Sequence, residues 1–196
     1  AGFNTQMKTI QELKTEHPDE KYLCSLTLFN AEINDVIRYA DVEKLSALNI
    51  ETYQPNGATA LLDAIGKSIF SIKEKFGKDI SEDKMSVVLV IITDGHENCS
   101  RMYTYHDIAQ LIKNLDDTQK WTFSFLGADF DAIHTSHMLN IRKENVMNFS
   151  KSNYAGMMDD VSSSIRSYAE SKSSGNMKHN LFDIFEKKDR RDNENN

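Results

Sequence analysis

The chain has 196 residues, of which 39% are hydrophobic and 27% charged, and its formal net charge is -7. This is the composition of one ordinary globular domain, with enough apolar material for a core that needs neither disulfides nor structural zinc. The acidic balance argues against general nucleic-acid binding, and the longest apolar run, residues 87–92, is too short to span a membrane. No basic-then-apolar leader is visible and Cys24 and Cys99 have no ligand spacing, so we expect free thiols and a cytoplasmic protein.

The first half of the chain predicts a helix, a hairpin and a second, longer helix. Apolar residues at helical spacing predict a helix over residues 1–15. Two segments rich in β-formers, residues 22–29 and 33–39, are separated by a turn too short for a parallel crossover, which predicts antiparallel pairing. A loop signal at residues 54–57 precedes an amphipathic helix that is expected to end at Gly77.

The second half alternates strands with helices. The apolar run within residues 85–93 predicts a strand buried on both faces. The elements predicted after it are a helix around 108–115, a strand at 121–127, a short helix at 130–139, a short strand at 146–149 and a helix around 158–168. This alternation predicts an α/β fold, a three-layer αβα sandwich with a Rossmann-like, mainly parallel sheet. In that sheet we expect 22–29, 85–93 and 121–127 to be parallel strands and 33–39 to be an antiparallel edge strand.

We divide the chain into one domain, residues 1–170, and a polar tail, residues 171–196, which its Ser, Lys, Asn and Asp content predicts to be disordered. Within the tail, residues 181–185 (LFDIF) form an apolar island. A residual apolar patch, or a turn packed on its own domain, is preferred over a peptide that docks on a partner.

Two loop segments carry the main candidate site residues. Thr59 follows Gly57 just before the long helix, and Asp94 directly follows the buried strand. Sites in open α/β sheets form where loops leave the carboxyl ends of strands, and hydroxyl and carboxylate oxygens are ligands that Mg²⁺ prefers. The simpler interpretation of each residue is a cap on the structure that follows it.

These segments resemble a known family. Residues 53–65 (YQPNGATALLDAI), followed by residues 88–95 (VLVIITDG), resemble the von Willebrand factor A (vWA) domain in order and spacing, over about residues 2–170. The resemblance implies a Mg²⁺ ion at a metal-ion-dependent adhesion site on top of the sheet. By position, Thr59 resembles the family's direct threonine ligand, and Asp94 resembles the aspartate that usually acts through water.

The sequence departs from the family pattern at its amino end. No Asp-x-Ser-x-Ser motif precedes Thr59, and residues 2–4 resemble the helix that follows that motif in the family. We therefore expect the chain to lack the family's first strand, with a strand position between 22–29 and 85–93, and to bind Mg²⁺ weakly or not at all. A degenerate domain that dispenses with metal is the alternative.

The resemblance implies a non-enzymatic module that docks a carboxylate of a protein partner on the Mg²⁺ ion, without nucleic acid or membrane. Intracellular bacterial and phage relatives act as assembly or regulatory modules, and ATPases are among their partners. The alternative is a Mg²⁺-dependent hydrolase or phosphotransfer protein that uses Asp94. A purely structural domain with a lost site is a third interpretation.

Other candidate residues carry weaker signals. His134 and His137 are three residues apart but have no third ligand nearby in the sequence, and His96 follows the Asp94 turn. The serines at 162–164 have no His and Asp partners placed by sequence, so nucleophilic catalysis is not supported.

Overall fold

The structure is a computed structural model, and it describes residues 2–47, 57–128, 132–149, 154–174 and Leu181. The predicted loop at residues 54–56 and the tail beyond Ser174, apart from Leu181, lie outside the described residues. The helices and strands in chain order are α1 (Gly2–Glu16), β1 (Leu23–Phe29), β2 (Ile33–Asp41), α2 (Leu61–Ser81), β3 (Val87–Thr93), α3 (Tyr105–Asp116), β4 (Trp121–Ala128), α4 (Ala132–Met138), β5 (Val146–Phe149) and α5 (Tyr154–Ser173).

Three of these strands form a parallel sheet in the order β3-β4-β5. β3 pairs with β4 along its whole length, from Val87 opposite Trp121 to Thr93 opposite Gly127. Every residue of β4 is buried, because a central strand has neighbours on both edges and helices on both faces. The predicted parallel pairing of 85–93 with 121–127 is confirmed.

Strand β3 is less buried than its apolar sequence predicts. Val87 and Ile91 are buried, whereas Val88 and Ile92, which point to the opposite face, are 38% and 37% exposed. β3 is an edge strand of its sheet, so no neighbour on that side helps to cover these side chains. The strand that is buried on both faces is β4.

The predicted hairpin is confirmed. β1 and β2 pair antiparallel, from Phe29 opposite Ile33 to Leu23 opposite Asp41. Residues 22–29 were expected to lie in one sheet with 85–93 and 121–127, but among the described strands the hairpin is a separate two-stranded sheet. β1 and β3 are not paired with each other, and no described strand pairs with both.

Helices cover both faces of the parallel sheet. On one face α2 and α3 contribute to a core cluster that contains Leu61, Ile65, Ile69, Ile91, Ile108, Ile112, Phe123 and Phe125. On the other face α5 packs Met158, Val161 and Tyr168 against Leu126 of β4, and α1 lies against α5. The odd and even residues of β4 thus face different helix layers, as the two-residue period of a strand requires. The predicted three-layer α/β fold is confirmed.

Helix α2 runs past the glycine at which it was expected to end. It continues beyond Gly77 to Ser81, and its last turn buries Ile80. A glycine inside a helix costs about 1 kcal/mol relative to alanine, whereas burial of an isoleucine side chain contributes about 1.5–3 kcal/mol. The predicted end at Gly77 is therefore wrong, and tertiary packing explains why.

The carboxyl end of the described chain is more structured than its polar composition predicts. α5 extends to Ser173, into the stretch that was predicted as tail. Leu181 is 2% exposed and packs with the cluster beside α5. For Leu181, packing on its own domain is therefore confirmed; residues 182–185 lie outside the described part. No helix in the described ranges is long and apolar enough to cross a membrane.

Candidate functional site at the amino end of helix α2

Three segments of the chain meet where α2 begins. The Ala60 N–H donates to the carbonyl of Asn30, which follows β1, at 2.7 Å. Asn98, in the loop after β3, donates its N–H to the Thr59 carbonyl at 3.1 Å and accepts the Thr59 N–H on Oδ1 at 2.8 Å. The carboxyl ends of β1 and β3 therefore converge on Thr59, at the edge of the sheet where α/β proteins place their sites.

Glu97 organises this junction. Its Oε1 accepts the N–H groups of Cys99 and Ser100 at 2.9 and 2.8 Å. Its Oε2 accepts the Leu62 N–H at 2.9 Å and the Ser100 hydroxyl at 2.7 Å. The carboxylate thus satisfies one of the unpaired N–H groups that begin α2, and its charge lies at the positive end of the helix dipole.

Asp63, in the first turn of α2, forms hydrogen bonds in the opposite direction, from the helix to the loop. Its side chain is buried, and it accepts the N–H groups of Arg101, Met102 and Tyr103 at 2.8, 2.9 and 3.0 Å. Its own N–H donates to the Ser100 hydroxyl at 3.1 Å. A buried carboxylate is stable only when such hydrogen bonds replace its hydration. The loop from Gly95 to Tyr103 is therefore clamped on α2 by two carboxylates.

Thr59 does not cap the helix, although capping was the simpler interpretation of this residue. The N-cap position is Ala60, and no side chain of the cap residue bonds to the helix. Glu97 and Ser100 bond the first-turn N–H groups of Leu62 and Asp63 instead. Nothing in the capping of α2 uses the Thr59 hydroxyl, so it is available for another role.

The Thr59 hydroxyl lies against the turn that carries Asp94. A Cβ atom placed on Gly95 would come within 2.6 Å of Thr59 Oγ1, so a larger residue there would displace the Thr59 side chain. The turn is held by Thr93, whose hydroxyl bonds both the N–H and the carbonyl of Gly95, at 3.2 and 3.1 Å. Asp94, between these residues, is exposed. The two residues singled out by sequence thus belong to one junction.

The donors at this junction match a hard cation only in part. Thr59 and Asp94 offer hydroxyl and carboxylate oxygens, which suit Mg²⁺, but an octahedral shell takes six ligands. Glu97, the nearest other carboxylate in sequence, already accepts four hydrogen bonds. Among the described residues there is no group of three or more His, Cys, Asp or Glu side chains suited to a metal ion. Thr59 and Asp94 alone would therefore fill only part of such a shell.

Glu97 also affects the pKa of the neighbouring residue Tyr105. Burial raises the pKa of Tyr105, and the negative charge of Glu97 raises it further. Tyr105 begins α3, where Thr104 and Asp107 form a capping box. The hydrogen bonds from the Thr104 hydroxyl and N–H lower the pKa of Asp107. The helix after the site loop thus starts at a well-defined residue.

The weaker sequence candidates lie elsewhere. His134 and His137 are exposed on α4, and His96 is exposed in the site loop. In α5, the Ser162 hydroxyl donates to the Met158 carbonyl and the Ser163 hydroxyl to the Asp159 carbonyl. Such bonds to the preceding turn are the usual structural role of helical serines.

The hydrogen bonds by which Glu97 and Asp63 shape the site were not predicted from the sequence. An acidic residue in the first turn of a helix, such as Asp63, is a known N-terminal signal, but it does not reveal that the side chain binds a distant loop. Glu97 lies 35 residues from Leu62 along the chain, and only the fold brings the two together.

The comparisons with known proteins add no identification. No protein-family model matches the chain, and no curated protein is significantly similar to it.

Proposed function

We propose that this chain is a non-enzymatic protein-binding module of vWA type, in which Thr59 and Asp94 contribute to a Mg²⁺ site that docks a carboxylate from a protein partner. The observation that carries the proposal is the position of the Thr59 hydroxyl. It takes no part in capping α2, and it lies against Gly95, beside Asp94. Glu97 and Asp63 hold the helix and the loop in this relation.

Electrostatics favour a cation between the module and an acidic partner. The chain carries a formal charge of -7, so a carboxylate that approached without a cation would be repelled. Mg²⁺ bound at Thr59 and Asp94 would offset this repulsion and leave coordination positions for the partner's oxygen. When bound, the ion supplies charge neutralisation and an open ligand position; Thr59 and Asp94 orient it.

Two donors predict weak binding of Mg²⁺ alone. In the family that the sequence resembles, further ligands come from an Asp-x-Ser-x-Ser motif at the end of the first strand, and this sequence has no such motif upstream of Thr59. The missing pairing between β1 and β3 agrees with a strand position there.

The test uses the isotope-labelled full chain, titrated with Mg²⁺ alone and then with Mg²⁺ and a synthetic peptide that contains one aspartate. We expect shifts of the amide signals of Thr59 and Gly95 at millimolar Mg²⁺, and tighter binding with the peptide. Asp94→Asn should weaken the Mg²⁺ response at least about tenfold, or about 1.4 kcal/mol. Asp117→Asn removes the same charge at an exposed position after α3 and should change nothing.

Equal responses of Asp94→Asn and Asp117→Asn would contradict the proposed site, and so would micromolar binding of Mg²⁺ alone. The enzyme alternative is checked by phosphate release from p-nitrophenyl phosphate. Release that requires Mg²⁺ and is lost in Asp94→Asn would favour a hydrolase over a binding module.

A further inference from the structure

A second feature lies on the opposite side of the sheet from α2, where Leu181 is buried beyond the end of α5. Its side chain is 2% exposed, and it belongs to a cluster with Leu126 of β4 and with Met158, Val161 and Tyr168 of α5. The contacts of Leu181 are thus those of a core residue, although it lies in the stretch whose composition predicts a disordered tail.

The backbone of Leu181 is bound as well as its side chain. The Leu181 N–H donates to Asn145 Oδ1 at 2.6 Å, and Asn145 is fully buried. Asn145 ends the short 3-10 turn Lys143–Asn145, directly before β5. A buried amide that accepts a backbone N–H from a distant segment recognises a main chain rather than a particular side chain.

The walls around Leu181 are held in place by contacts of their own. The hydroxyls of Tyr168 and Thr122 are hydrogen-bonded at 2.7 Å in the buried interior, which ties α5 to β4. Met158 and Val161 are almost completely buried on the same helix face. A methionine adapts its shape to the group beside it. We call the space that Leu181 fills, between α5 and the strands β4 and β5, the cleft. The Thr122–Tyr168 hydrogen bond fixes one part of its lining, and Met158 can adapt to what lies in it.

We propose that this cleft is a peptide-binding site that recognises a segment with a leucine anchor, and that the chain's own C-terminal segment occupies it through Leu181. A pocket for one side chain combined with a hydrogen bond to the backbone is one way in which proteins bind peptides. The proposal is independent of the metal site, which lies at the amino end of α2.

The test uses the full chain, with the cleft vacated by Leu181→Ala. The probe is a fluorescent synthetic peptide of residues 177–186 (MKHNLFDIFE), followed by fluorescence anisotropy. We expect the peptide to bind Leu181→Ala and to bind the unmodified chain at least tenfold more weakly, because there the cleft is occupied. The same peptide with alanine in place of its leucine should lose at least tenfold in affinity for Leu181→Ala.

The backbone contact has a separate test. In the double variant Leu181→Ala, Asn145→Ala, the affinity for the leucine peptide should fall at least tenfold again, with circular dichroism used to verify that both variants fold. Equal binding of the leucine and alanine peptides, or equal binding to the unmodified and vacated chains, would overturn the proposal.

One measurement does not depend on the variants' folding. In the unmodified chain the Leu181 amide should exchange with deuterium at least a hundredfold more slowly than an unstructured amide, because it is buried and bonded to Asn145. An unprotected Leu181 amide would contradict occupation of the cleft by the chain's own segment.

Discussion

At the scale of single residues, Glu97 determines the geometry of the candidate site. Its two carboxylate oxygens accept four hydrogen bonds, three from its own loop and one from Leu62 of α2. The Glu97 carboxylate accepts an N–H group of the first turn of α2, as the side chain of a serine or threonine N-cap does in many helices. The Thr59 hydroxyl is left out of the cap for this reason.

Replacement of Glu97 by alanine should therefore destabilise the protein. Loss of the carboxylate leaves partly buried N–H groups without partners, and we expect a decrease in the free energy of unfolding of about 1–3 kcal/mol. The measurement is urea denaturation followed by circular dichroism. The control is Glu74→Ala, an exposed position on the same helix α2, which should stay within about 0.5 kcal/mol. Equal stabilities of the two variants would show that the Glu97 hydrogen bonds contribute nothing net.

At the scale of elements, two glycines of α2 differ in their surroundings. A Cβ atom on Gly66 would overlap the ring of Tyr103, which precedes α3, whereas a Cβ atom on Gly77 has nothing within 4 Å. Both residues lie inside the helix. Gly66 therefore allows the site loop to pack closely on α2, and Gly77 serves no such contact.

Alanine substitutions should separate these two roles. Gly77→Ala should raise the free energy of unfolding by about 0.5–1 kcal/mol, because alanine favours the helix and nothing obstructs its side chain. Gly66→Ala gains the same propensity but must displace the Tyr103 ring, and we expect a net loss of about 1–3 kcal/mol. Thermal unfolding of both variants beside the unmodified chain checks the prediction. A stabilising Gly66→Ala would mean that Tyr103 moves aside at little cost.

At the scale of the whole molecule, two hydroxyls without a hydrogen-bond partner in the described part of the chain are buried between β4 and the helix layer that contains α5. Ser124 of β4 and Ser164 of α5 are both fully buried, and neither hydroxyl has a hydrogen-bond partner among the described residues. A buried hydroxyl without a partner costs about 1–3 kcal/mol. The Thr122–Tyr168 hydrogen bond is the favourable counterpart on the same face.

Removal of an unpaired hydroxyl should stabilise the protein. We expect Ser164→Ala to raise the free energy of unfolding by about 1 kcal/mol, since alanine is close in size and favours the helix. Ser162→Ala, two residues earlier in α5, loses a hydroxyl that bonds the Met158 carbonyl and should gain less. Denaturant unfolding of both variants distinguishes them. A destabilised Ser164→Ala would show that its hydroxyl is satisfied in solution, for example by a buried water molecule.

Periodicity along the chain was sufficient to predict most elements of the fold. The apolar stripes of α2 and α3 and the apolar run of β3 depend on residues a few positions apart, and the short turn between β1 and β2 permits only antiparallel pairing. The end of α2 was wrongly predicted at Gly77, because the last turn of the helix is stabilised by the burial of Ile80, which the local sequence does not reveal.

Local patterns were enough to predict the alternation of strands and helices and the antiparallel hairpin, and they singled out Thr59 and Asp94 as candidate site residues. The capping of α2 by Glu97, the binding of Asp63 to the loop before α3 and the burial of Leu181 against Asn145 depend on the fold. The physical reason is distance along the chain. Each of these contacts joins residues more than thirty positions apart, and no local pattern of hydrophobicity or charge specifies which distant partner a buried polar group will find.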